Sequence, residues 1–97
     1  MHKILVKLDV NYLNTLILYE RQLSLAEFAK LIHFSKTHVY DILNMKRKPS
    51  LDFVNNTIHY LNLTLEERFR LIYSLPEETA AQLANTIRPL ESLPTNN

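Results

Sequence analysis

The chain has no glycine, no cysteine and no tryptophan among its 97 residues. Without glycine there are no Gly-rich loops of the kind that cradle nucleotide phosphates, and a hairpin-rich β fold, whose tight turns call for residues at positive φ, is disfavoured. Without cysteine there is neither a disulfide framework nor a thiolate metal site, which fits a reducing compartment. Long hydrophobic runs are also missing. No apolar stretch reaches membrane-spanning length, and the first residues lack the continuous apolar core of a signal peptide. These absences predict a cytoplasmic protein with no membrane association.

Net charge is small as well, at +1, but it is unevenly placed. Residues 1–48 carry eight basic and four acidic side chains, a balance of +4, and residues 49–97 carry three basic and six acidic, a balance of −3. That asymmetry fits a nucleic-acid footprint followed by a more acidic packing or dimerisation half. A hydrophobic content of 46% is enough for one small core, and the length leaves little room for a second domain.

The residues present organise around 24–50. Ser24 reads as a helix N-cap, with Glu27 three residues on to close a capping box. Phe28, Ala29 and Ile32 then share one helical face. Ser35 reads as a second N-cap, opening a segment whose apolar residues are Val39, Ile42 and Leu43. Its other side carries Lys36, Thr37, Tyr40, Asp41 and Asn44. Pro49 stops the helix after a basic loop, Lys46-Arg47-Lys48. Two short helices, a tight turn, one buried face and one polar face describe a helix-turn-helix.

Further helices are predicted around this pair. Asp9 caps one over about 10–21, with Leu13, Leu16 and Ile17 inward. Ser50 caps another, with Leu51, Val54, Ile58 and Leu61 on one face and Asn62 as a left-handed end. Thr64 and Glu67 form a second capping box, opening a helix over about 65–74 with Leu65, Phe69 and Ile72 apolar. Pro76 suits the first position of a last helix running to about residue 87, with Ala80, Leu83, Ala84 and Ile87 apolar and an irregular tail from Pro89. Phe28, Phe53 and Phe69 read as core, and Tyr12, Tyr19, Tyr60 and Tyr73 as partly buried rims. Residues 1–8 fit a strand pairing in a dimer, a basic arm along DNA, or an extension of the first helix.

Residues 24–50 resemble the DNA-binding domain of the lambda-repressor-like family, the Cro/C1 or XRE-type regulators. The match is carried by Ser24, Glu27, Phe28 and Ala29, then Phe34–Ser35, Val39 to Asn44, and Lys46 to Ser50, and extends over about 13–72. Three positions depart from the family: His33 stands for the turn glycine, Met45 for the glycine after the recognition helix, and Leu25 for a phosphate-holding glutamine. His33 tolerates a positive φ and Asn44 is expected to supply a left-handed cap. The resemblance implies an all-α, compact five- to six-helix domain. The chain divides into an arm (1–8), a helix-turn-helix domain (9–75) and a C-terminal helix and tail (76–97). This last part lies outside the clearest resemblance, and because an amphipathic helix with no remaining partner in a small domain often packs against its copy, it is a candidate dimerisation element.

The resemblance also implies a site. Lys36, Thr37, Tyr40 and Asp41 would face base edges, and Ser24, Ser35, His38, Asn44, Lys46, Arg47 and Lys48 would face phosphates. Lys36 suits guanine O6 or N7, and Thr37 a base edge or a thymine methyl. Asp41 suits cytosine N4 or an ion pair with a nearby cation. His2, His33, His38 and His59 lack metal-ligand spacing, so no metal and no cofactor is expected. Glu66-Glu67 and Glu77-Glu78 read as helix N-terminal charges, and no nucleophile–base set suggests an enzyme. The expected function is sequence-specific binding of double-stranded DNA as a homodimer, in the manner of a Cro-type repressor. The alternative is an antitoxin or other interaction module that binds a protein partner through residues 76–97 and uses the helix-turn-helix for autoregulation.

Overall fold

The computed structural model describes the backbone of residues 7–91 and the side chains of residues 7–87. The remaining residues, with most of the arm expected at 1–8 and the end of the tail, lie outside the described part. Six α-helices and no β-strand make up the described residues: α1 (Val10–Thr15), α2 (Leu25–Ile32), α3 (Lys36–Leu43), α4 (Leu51–Tyr60), α5 (Leu65–Tyr73) and α6 (Glu77–Glu91). Between α1 and the next loop the helix widens into one π-helical turn, Leu16–Glu20, closed by the Arg21 amide on the Leu16 carbonyl at 2.8 Å. This widening has no signature in the apolar spacing and was not expected from the sequence.

Each of the first five helices opens on a side-chain cap. Asp9, Ser24, Ser35, Ser50 and Thr64 all stand in extended backbone and accept an amide hydrogen bond three residues ahead, meeting donors that the first turn cannot pair internally. The helix ends are the reverse of what a glycine-free chain makes easy. Gln22, His33, Met45, Asn62 and Ser74 follow the helices at positive φ, between 51° and 65°. His33 and Asn62 take the left-handed positions read from the sequence. Asn44 does not: its φ is −96°, and Met45 is the left-handed residue at 61°. The register decides this. The Lys46 amide bonds the Asp41 carbonyl at 2.8 Å and the Met45 amide bonds the Ile42 carbonyl at 3.0 Å, the paired bonds of a Schellman stop, and they place the inverted residue at 45 whatever its side chain.

The core gathers Leu13, Leu16 and Ile17 from the first helix, Phe28, Ala29 and Ile32 from α2, Val39 and Ile42 from α3, Phe53 from α4, Leu61 and Leu63 after it, and Leu71 from α5. Phe28 and Phe53 meet edge to face at 6.3 Å. Two stripes differ in part from the sequence reading. On α4 and its C-cap, Val54 and Leu61 are buried, Ile58 packs half-buried against the core and Phe53 is core, all as read, while Leu51 is exposed and Thr57 turns inward in its place. The buried Thr57 satisfies its hydroxyl on the Phe53 carbonyl at 2.8 Å, so a threonine serves on the apolar face. On α5, Leu71 is the buried residue, while Leu65, Phe69 and Ile72 are half-buried. Of the tyrosine rim, Tyr12 is half-buried against the core as read, while Tyr19 and Tyr73 are 73% and 66% exposed.

Helix α6 opens at Glu77, one residue past the expected Pro76, and continues through Pro89 to Glu91 instead of ending near residue 87. A proline removes one helical donor, and Asn85, whose carbonyl loses that bond, lies on the exposed side. α6 packs along α5 and buries Ala80 and Ala84. It therefore has a partner within the chain, contrary to the premise on which a dimer contact was placed there. Leu83 stays exposed.

The loops are tied by side chains. Arg21 donates Nη1 to Glu67 Oε2 at 3.1 Å and Nη2 to Glu67 Oε1 at 2.9 Å, and both Nε and Nη2 reach the Leu61 carbonyl at the end of α4. One guanidinium thus joins the π turn, the end of α4 and the start of α5. Arg70 on α5 lies 4.3 Å from the centre of the Tyr12 ring, and the Asp9 amide bonds the Leu71 carbonyl at 2.8 Å.

Candidate nucleic-acid interface

The pair α2 and α3 is positioned from three sides. At its start, Ser24 Oγ accepts from the Glu27 amide at 3.1 Å and Glu27 Oε1 accepts from the Ser24 amide at 2.8 Å. The Ser24 amide, and after it the Ser24 hydroxyl, hold the exposed Glu27 carboxyl below its ordinary pKa. At the turn, the Phe34 amide reaches the Ala29 carbonyl at 3.0 Å and the His33 amide the Lys30 carbonyl at 3.3 Å. Asn56 Nδ2 from α4 donates to the Ile32 carbonyl at 2.9 Å, and the His33 ring stands edge-on to Tyr60 at 5.0 Å. Ser35 Oγ then accepts from the His38 amide at 3.0 Å and starts α3.

That start fixes the rotation of α3. Val39 and Ile42 are fully buried, and Lys36, Thr37 and Tyr40 are exposed together on the far side. Of the four residues expected at base edges, these three share the outer surface. Asp41 is the fourth and differs: it is half-buried, and its Oδ2 lies 4.0 Å from Arg47 Nη2.

The residues expected at phosphates divide as well. Ser24, Ser35, Asn44, Lys46, Arg47 and Lys48 are exposed. Ser24 and Ser35 are engaged in capping, and Asn44 Nδ2 donates back to the Tyr40 carbonyl at 2.8 Å. His38 turns toward the core, with its ring edge-on to Phe34 at 4.9 Å and stacked at 6.1 Å from Phe53. The signal for this was present in the spacing, because His38 stands one position before Val39 and four after Phe34. Lys46, Arg47 and Lys48 leave α3 through the Schellman stop and are held by the buried Pro49.

One residue was missing from the expected site. Lys7 stands with Arg47 and Lys48 on the rim of a shallow cleft whose apolar lining includes Leu8, Ile42, Met45 and Pro49. The basic surface therefore runs from the end of α3 across to the segment before α1. The only hint of this in the sequence was the reading of residues 1–8 as a basic arm.

Among the described residues, no three His, Asp or Glu side chains gather as a metal site, and no helix is long and apolar enough to cross a membrane. The chain matches no protein-family model, no curated protein and no solved structure.

Proposed function

We propose that this chain is a cytoplasmic, sequence-specific DNA-binding regulator that presents α3 to the major groove of duplex DNA, with α2 and α3 as its helix-turn-helix and the lambda-repressor-like domain as its fold. The observation that carries the reading is the division of α3. Val39 and Ile42 are buried while Lys36, Thr37 and Tyr40 stand exposed at its N-terminal half, and a run of three exposed cations follows its end. A short helix anchored on one side and hydrogen-bond capable on the other fits a groove about 12 Å wide, where the four base pairs present distinct donor and acceptor patterns. Lys36 is a donor for guanine, and the Thr37 hydroxyl or methyl serves a base edge or thymine. Lys46 and Lys48 supply the sequence-independent attraction to phosphates that gives most of the affinity.

A regulator of this size reads too few base pairs with one helix, so the reading includes a homodimer on an inverted repeat, and repression by occupancy as the simplest action. The test is the salt dependence of binding. Lys46→Ala and Lys48→Ala should each weaken binding to all duplexes about equally and reduce the log–log salt slope by roughly one. Variants that kept the parental slope would remove this loop from the interface.

A further inference from the structure

Asp41 is the one member of the outer face of α3 that does not stand exposed, and the backbone explains why. The Lys46 amide bonds the carbonyl of Asp41 itself, at 2.8 Å, so the chain leaving the helix doubles back over this residue. The next side chain, Arg47, then comes down beside the carboxylate, with Nη2 4.0 Å from Oδ2. About half of the Arg47 side chain and a quarter of the Asp41 side chain remain exposed, so the pair lies at the surface and joins α3 to the basic loop. Arg47 also stands with Lys7 and Lys48 on the rim of the cleft beside α3.

We propose that Asp41 restrains Arg47 and limits the affinity of the basic loop for DNA, and does not read a base. The inference rests on the DNA-binding reading and specifies how its site is regulated. A carboxylate placed among phosphates is repelled unless a cation covers it. To accept from cytosine N4, Asp41 would have to release Arg47 and turn out of its half-buried position. While it holds Arg47, the pair is neutral, and Lys7, Lys46 and Lys48 carry the attraction to the phosphate backbone. The restraint lowers binding to every duplex alike and leaves discrimination to Lys36, Thr37 and Tyr40. As a positioning residue, Asp41 acts on affinity through its partner.

The experiment is a titration of purified full-length protein on one selected duplex, on a set of single-base-pair variants of it and on an unrelated duplex, over a range of salt. Asp41→Asn keeps the size of the side chain and removes its charge. It should bind all these duplexes about three- to ten-fold tighter near 0.1 M salt and steepen the salt slope by roughly one, with the order of preference among the variants unchanged. Arg47→Gln uncovers the carboxylate and should weaken binding, and the double variant should return close to the parental affinity and slope. Melting curves confirm that each variant is folded. If Asp41→Asn bound the best duplex more weakly, or relaxed the preference at a single base pair, Asp41 would be a base-reading residue and the inference would fall while the DNA-binding reading stood. A parental protein that bound no duplex even at low salt would remove both.

Discussion

Thr37 and Val39 are two positions apart on α3 and have opposite surroundings, one exposed and the other fully buried. Their substitution to alanine should separate specificity from stability. Thr37→Ala is expected to leave the melting temperature nearly unchanged and to cost about 1–3 kcal/mol against the best site, at one base pair per half-site. Val39→Ala is expected to lose about 1–3 kcal/mol of stability and to lose binding only in proportion to unfolding. Paired melting curves and titrations on matched and mismatched duplexes read both. An early-melting Thr37→Ala beside a stable Val39→Ala of altered specificity would mean that α3 is rotated by half a turn.

Met45 is the second test at this scale. It is 72% exposed at φ 61°, where a side chain with a Cβ is strained and glycine is not. Met45→Gly should therefore raise stability, by about 0.5–1 kcal/mol after the entropy that glycine adds to the unfolded chain, as denaturant midpoints would show. The same position shows where residue-type reasoning stopped. Asparagine is the commoner left-handed residue, so Asn44 was the natural choice. The inversion at 45 follows from which amides close on Asp41 and Ile42, a register that residue preference does not encode.

Between elements, Arg21 is the principal tie. Arg21→Ala removes its bonds to Glu67 and to the Leu61 carbonyl at once. Because the pair keeps some solvent contact, with side chains 25% and 16% exposed, the expected loss is about 1–2 kcal/mol. The same tie gives a pH dependence. Burial pushes the Glu67 carboxyl up, but hydrogen bonds from Arg21 and the Thr64 backbone outweigh it, and the pKa lies below the ordinary 4.5. A carboxylate held below its unfolded value contributes stability that is complete above about 4.5 and is lost as pH falls through its own lower value. Glu67→Gln should lose stability at neutral pH and flatten that part of the acid limb, as urea unfolding between neutral and acid pH would reveal. Equal acid limbs in the parent and the variant would place the ion pair outside the acid response.

The starts of the helices were legible in the sequence, because a cap is a local motif: Ser24, Ser35, Ser50 and Thr64 all opened helices where their spacing said they would. The buried faces of α2 and α3 were legible from periodicity for the same reason. What was not legible depends on partners distant in the chain. Thr57 is buried on the apolar face of α4, its hydroxyl bonded to the Phe53 carbonyl, although a threonine carries no apolar-periodicity signal. The spacing of His38 from Phe34 and Val39 hints at its inward turn, but its stacking on Phe53, fifteen positions further along, is not in that spacing. Lys7 joins the basic rim only once the segment before α1 lies beside the end of α3. The length of α6 is not legible, because a proline usually ends a helix, removing a donor and crowding the carbonyl four residues back, and α6 nevertheless continues through Pro89.

For the whole molecule, the proposed function requires that two copies of this chain place two α3 helices in successive major grooves of one duplex. The charge balance of +4 over residues 1–48 and −3 over 49–97 makes the half that carries α2, α3 and their loop the one expected to attract DNA. The most direct measurement is selection of bound duplexes from a random-sequence pool by the purified protein, followed by footprinting and stoichiometry on the enriched sequence. The account predicts an imperfect inverted repeat whose half-site centres lie roughly one helical turn, about 34 Å, apart, with two protomers bound at saturation. A pool that never enriched, or a protected single half-site carrying one protomer, would contradict it.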